Sequence, residues 1–150
     1  MNTKELEICL EKIVQTDNYY FAVFANNTLP FHVSRPALIV INEDPDYMPG
    51  SHWVSVYIDE YGFAYFFDSF GRTPRKNISS FIKRNAKIWN YNYRQIQDTS
   101  SNLCGPYCLL FLLNYALNNS VDNFLNLFGN DYKYNDLLCK KMFKRYFCKK

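Results

Sequence analysis

From Cys104 to Leu117 the chain reads Cys-Gly-Pro-Tyr-Cys-Leu-Leu-Phe-Leu-Leu-Asn-Tyr-Ala-Leu. A helix of that composition is apolar nearly all round, so it belongs inside a protein with other elements packed about it. It falls short of the roughly 20 residues that a membrane span requires. The rest of the sequence must supply layers that wrap this helix, and 150 residues is the length of one ordinary domain, 1–150. With 48% hydrophobic and 21% charged residues, a disordered, collagen-like or disulfide-dense chain is excluded.

Shorter patterns predict those layers. Over residues 3–15, Leu6, Leu10, Ile13 and Val14 share one helical face, and Asn2 with Glu5 forms a capping box. The run Ala37-Leu38-Ile39-Val40-Ile41 reads as a buried strand. Two more strands are expected at 52–58 and 63–67, joined by the hairpin turn Asp59-Glu60-Tyr61-Gly62. Ile78, Phe81, Ile82 and Ile88 predict a helix over 77–88, and a short strand follows near 91–96. After the polar loop Asp98-Thr99-Ser100-Ser101-Asn102 come the apolar helix and two shorter ones, near 121–128 and 133–147. Such an order predicts an α+β fold, a small mixed or antiparallel sheet packed with helices.

The polar start Met1-Asn2-Thr3-Lys4-Glu5 is no signal peptide, so the five cysteines are expected as free thiols in a reducing compartment. Neither Cys104-x3-Cys108 nor Cys139-x8-Cys148 has the partners a zinc site needs, and no glycine-rich phosphate loop is present. Lys140, Lys141, Lys144, Arg145, Lys149 and Lys150 crowd the segment after Cys139 without an acid, although the chain's net charge is only +3. The remainder is therefore net acidic. The C-terminal segment reads either as a solvated amphipathic helix or as a weak, sequence-independent DNA contact.

Chemistry narrows to few residues, because the chain has two histidines. His52 stands where a loop enters a strand, in Gly50-Ser51-His52-Trp53, and Asp68 closes the next strand. If those strands pair as a hairpin, an imidazole and a carboxylate meet at one sheet end. The carboxylate would then fix the histidine tautomer and stabilise the imidazolium. The plainer alternative is a structural histidine beside an unrelated aspartate. Cys104 precedes the apolar helix, where the positive end of the helix dipole favours a thiolate. Cys9, Cys108 and Cys139 read as small buried hydrophobes. Gly105 lets substrate or backbone approach closely. Gln97 offers an amide donor before the cysteine, suited to an oxyanion, or else a solvated loop residue. His32 has no carboxylate placed to orient it and reads as a surface or packing residue.

His52-Trp53, the segment Asp68-x-Phe70-Gly71 and Gln97-x6-Cys104-Gly105 resemble the adenovirus proteinase (adenain) family of cysteine proteases, especially those of Maverick/Polinton elements and adintoviruses. The loop from Asp44-Pro45 to Pro49-Gly50-Ser51 and the stretch Phe21–Ala25 with Leu29-Pro30 belong to the same likeness, which spans about residues 18 to 117. The wider clan, including the SUMO-deconjugating Ulp proteases, shares the order His, Asp, Gln, Cys. Adenain has Glu where this chain has Asp68, while Asp is usual elsewhere in the clan.

The resemblance implies a papain-like, Ulp-like core with circularly permuted catalytic order. It implies a Cys104 nucleophile, a His52 base, Asp68 as orienting acid, Gln97 as oxyanion donor and Trp53 walling the substrate channel. It further implies cleavage of viral capsid precursors near glycine, inside the host cell and the virion. No prosthetic group is expected; an activating peptide, disulfide-linked to Cys108 or a later cysteine, and DNA are the cofactors the likeness suggests. Two rival readings are a SUMO- or ubiquitin-like deconjugating isopeptidase and an inactive virion or DNA-binding module.

Overall fold

A computed structural model describes residues 1–15, 18–49 and 51–148. The elements, in chain order, are α1 (Thr3–Ile13), β1 (Tyr20–Ala25), β2 (Ala37–Asn42), β3 (Trp53–Ile58) and β4 (Phe63–Phe67). They continue with α2 (Lys76–Asn85), β5 (Ile88–Tyr91), α3 (Cys104–Ala116), α4 (Val121–Leu125) and α5 (Tyr132–Phe147). The strands form one five-stranded sheet in that same order. Its centre, β2-β3-β4, is antiparallel, and the edge strands β1 and β5 run parallel to their neighbours. The expected mixed α+β architecture is the observed one.

Alternation along the strands divides the core in two. Leu38, Val40, Tyr57, Tyr65 and Phe67 face α1, α3 and α5. Ile39, Ile41, Val54, Val56, Ile58 and Phe66 face the other way, where Ile78, Phe81 and Ile82 of α2 cover them. Burial on both faces is why 37–41 reads as an unbroken apolar run. α3 is buried continuously from Cys104 to Leu112, as its composition requires. Phe111 stacks on Phe67 at 4.7 Å, and the Tyr107 hydroxyl donates to Asp136 Oδ1 at 2.8 Å, tying α3 to α5.

The capping box of α1 is formed by Asn2 and Glu5, and the β3–β4 hairpin turns at Gly62, whose φ of +91° suits glycine. Several boundaries differ from expectation, α4 for one ending at Leu125 rather than near 128. α1 stops at Ile13 rather than residue 15. α2 stops at Asn85, because Ala86 turns extended and Lys87 N donates to Gly62 O at 2.7 Å, drawing the chain into the sheet. Ile88 therefore opens β5 opposite Phe63 and is exposed, so the strand expected near 91–96 lies at 88–91. Helical spacing after Ile82 falls on position 85, and Asn85 fills it, its carboxamide holding Val33 N, Phe31 O and Phe81 O. β1 has no counterpart in the sequence pattern. It is an edge strand half-buried along its length, so it lacks the alternation that would mark it.

Candidate active site

β3 and β4 pair with Ser55 opposite Phe67, so the residue before β3 and the residue after β4 lie together at one end of the sheet. Those residues are His52 and Asp68. The first turn of α3 reaches the same end, where Cys108 Sγ lies 3.4 Å from the Trp53 carbonyl oxygen, and Cys104 is its first residue. His52 Nε2 donates to Asp68 Oδ1 at 2.6 Å, with His52 6% and Asp68 0% exposed. Nε2 being taken by the carboxylate, the Nδ1 edge is left for the Cys104 thiol, whose ionisation the same imidazole favours. Phe70 stacks on the His52 ring, 4.6 Å between centroids and 16° from parallel.

The loop after β4 is built to hold Asp68 still. Phe70 N donates to Asp68 Oδ1 at 2.9 Å, and Arg72 Nε donates to Oδ2 at 3.2 Å. The turn closes with Gly71 N on Asp68 O, 2.7 Å. Gly71 has a φ of +73°, and a Cβ there would meet the Arg94 carbonyl carbon at 2.7 Å, so glycine is required. Asn92, buried, clamps the Asp68 peptide from the side: its Oδ1 accepts from Asp68 N at 3.0 Å and its Nδ2 donates to Asp68 O at 2.6 Å.

Electrostatics follow from this packing. Burial, the largest influence on His52, works against its charged form. Hydrogen bonds to Asp68 and Cys104, with their negative charges, overcome it and lift the imidazole pKa from 6.5 to about 9. Burial also opposes ionisation of Cys104, but the His52 hydrogen bond and charge, with the Trp53 and Gly105 backbones, bring the thiol below its ordinary value. Asp68 is lowered in the same sense: burial raises it, and His52, Phe70 N–H and Arg72 outweigh that. The arrangement favours thiolate, imidazolium and carboxylate in line. Cys108 is the contrast: fully buried, its thiol is pushed well up by desolvation.

Cys104 and His52 open on a cleft of about 420 Å³, walled by Trp53, Met1, Met48, Asp46 and Asn102 among others. Trp53 thus stands where a channel wall was expected, and its Nε1 donates to Met1 O at 3.1 Å. Gly105 is roofed by Met1, whose Sδ lies 3.2 Å from where a Cβ would be, and does not line the cleft. Gln97 is fully buried; Ser69 Oγ donates to its Oε1 at 2.5 Å, and its Nε2 donates to Ser101 O and Oγ at 3.1 Å. The loop bearing Asp68 is therefore joined to the loop leading to Cys104. His32 is exposed and rests edge-on to Phe31.

Sequence reasoning missed Asn92, Glu43 and Arg72. Glu43 is 2% exposed, its N–H donates to His52 O at 3.0 Å, and its carboxylate meets Arg72 and Arg75. An Asn in Tyr-Asn-Tyr or a Glu in an acidic loop carries no local mark of burial. Arg72, four residues after Asp68, follows a glycine turn that could have flagged it.

The geometry matches that of known proteins. A crystal structure of an African swine fever virus (ASFV) protease superposes with a TM-score of 0.68 at 18% identity, over 89% of this chain and 65% of that one. The SUMO protease Ulp1, with its catalytic cysteine oxidised to a sulfinic acid, superposes with a TM-score of 0.57 at 13% identity, over 93% of this chain and 73% of that one. The fold is that of the Ulp-like cysteine proteases. In sequence, the chain is 31% identical over 98 residues to a protein of Acanthamoeba polyphaga mimivirus described as a thiol protease, covering 58% of this chain. The chain spans 32% of the length of that relative. No protein-family model matches.

Proposed function

We propose that this chain is a cysteine endopeptidase of a DNA virus or virus-like element, of the adenain type, which cuts capsid precursor proteins near glycine. The reading rests on one observation above all: Cys104 and His52 line an open cleft, and the buried Asp68 is hydrogen-bonded to His52 behind them. The thiolate of Cys104 attacks the scissile carbonyl. The backbone N–H of Cys104 stabilises the oxyanion, and the Gln97 amide joins it where its Nε2 turns from Ser101. His52 gives its proton to the leaving amine, and the C–N bond breaks to leave a thioester on Cys104. Neutral His52 then takes a proton from water, whose oxygen attacks the thioester; the C–S bond breaks to release the acid and restores the Cys104 thiolate beside the His52 imidazolium. Asp68 orients the imidazole throughout.

Viral relatives support the source, and an intracellular and virion site of action goes with it. A disulfide-linked activating peptide would need a reachable thiol; Cys148 is exposed and Cys108 is buried. Lys140, Lys141, Lys144 and Arg145 lie exposed on α5 and support weak contact with duplex DNA, while Lys149 and Lys150 fall outside the described residues. Such binding should fall with salt at a log–log slope near −0.9 per phosphate. Among the described residues no helix is long and apolar enough to cross a membrane.

The deciding experiment sets wild type against Cys104→Ala on capsid-type peptides with Gly-Gly and Gly-X sites, beside a precursor of a ubiquitin-like modifier. Cleavage of the peptides by wild type alone is expected. Cleavage confined to the folded modifier would make the chain a deconjugating isopeptidase, and equal cleavage by the alanine variant would refute the mechanism.

A further inference from the structure

Arg72 takes part in a closed circuit of side chains around the imidazole. Its Nε donates to Asp68 Oδ2 at 3.2 Å, while Asp68 Oδ1 accepts from His52 Nε2. Its guanidinium carbon lies 5.2 Å from the centroid of the Phe70 ring, and that ring stacks on His52. One arginine thus touches two of the groups packed on the imidazole, the Asp68 carboxylate and the Phe70 ring. Arg72 is itself held by the buried Glu43, at 3.5 Å. Glu43 also engages Arg75 at 3.3 Å, and its N–H grips the His52 carbonyl. The loops carrying His52 and Asp68 are joined behind the pair, outside the cleft, since neither Phe70 nor Arg72 lines it.

We propose that Arg72 is a positioning residue for the His52–Asp68 pair, fixing the second carboxylate oxygen and, through Phe70, the plane of the imidazole. This rests on the peptidase reading above. A carboxylate held by one oxygen can rotate about its Cβ–Cγ bond; a donor on each oxygen stops that rotation. A flat guanidinium can donate along its edge while its face lies on an aromatic ring, which a lysine ammonium cannot do. The charges facing Asp68 are His52 and Arg72, with Cys104 beyond the imidazole and Glu43, Arg75 and Asp44 beyond the arginine.

The test uses the full chain as wild type, Arg72→Ala, Arg72→Lys and Phe70→Leu, and the Arg72→Ala/Phe70→Leu double variant. Peptide cleavage in Arg72→Ala should lose about 10- to 100-fold in kcat, the order that a slight misplacement of reacting groups costs, with KM unchanged. The lysine variant should recover a minor part. The two single losses should be non-additive, because both act through one ring. Alkylation of Cys104 by iodoacetamide at mildly acidic pH, where the thiolate depends on the imidazolium, should slow in Arg72→Ala. Wild-type kcat and alkylation in Arg72→Ala, or a change in KM alone, would overturn the proposal. If wild type cleaves no peptide, the endopeptidase reading falls, and the alkylation rates still decide the role of Arg72.

Discussion

His52 Nε2 and Asp68 Oδ1 stand 2.6 Å apart, the carboxylate wholly buried, one residue outside each strand of a hairpin. In so dry a setting an ionised carboxylate is tolerable because it has partners on both oxygens, and the imidazole profits as the nearest of them. The pairing accounts for an imidazole that remains protonated to about pH 9 beside a thiol that ionises early.

Replacing Asp68 with Asn retains the shape and removes the charge. The amide can present its NH2 to Nε2 and so favour the wrong tautomer, as in the Ser-His-Asp precedent, where such a change costs about 10⁴ in kcat. A loss of about 10² to 10⁴ is expected here, with the basic limb of the pH profile moved to lower pH. Steady-state kinetics across pH measure both; wild-type turnover would mean that Asp68 merely packs.

The pH dependence has a definite sign. Leaving-group protonation needs imidazolium, so kcat/KM for peptides should fall as pH rises through about 9. Attack needs thiolate, so activity should fall again on the acidic side, below the lowered value of Cys104. Alkylation needs the thiolate alone and should stay fast on the alkaline side, where peptide cleavage is lost. Parallel decline of both rates at high pH would show that His52 is not the proton donor.

Thiol labelling separates Cys104 from its competitors. Cys9, Cys108 and Cys139 are buried with raised pKa values, whereas Cys148 is exposed. In a Cys148→Ser background, a sub-stoichiometric alkylator at neutral pH should mark Cys104 first, by peptide mass mapping. First labelling at Cys108 would move the nucleophile one helical turn along α3.

Much of this site could be read from sequence because antiparallel register is unforgiving. Once 52–58 and 63–67 alternate around Gly62, His52 and Asp68 can hardly avoid each other, and the jump from the polar loop 98–102 to apolar residues places Cys104 at a helix start. The supports were not legible. Asn92 and Glu43 are buried by loops whose course depends on distant contacts, and half-buried β1 shows no period. Ile88 misled for a related reason: helix and strand both admit an isoleucine, and the hydrogen bond from Lys87 to Gly62 decided between them.

Gln97 is where position and role have to be separated by experiment. Its carboxamide holds Ser69 on one side and Ser101 on the other, so Gln97→Ala removes an amide donor and also cuts a tie between the Asp68 and Cys104 loops. The loss of one oxyanion donor should cost about 10² to 10³ in kcat. The Ser69 hydroxyl, fully buried, would be left without its acceptor, costing about 1–3 kcal/mol of stability. Adding Ser69→Ala removes that orphaned hydroxyl. In the double variant the melting temperature should recover in large part while kcat stays low. If activity returns together with stability, Gln97 serves the fold and the oxyanion is stabilised by backbone N–H groups instead.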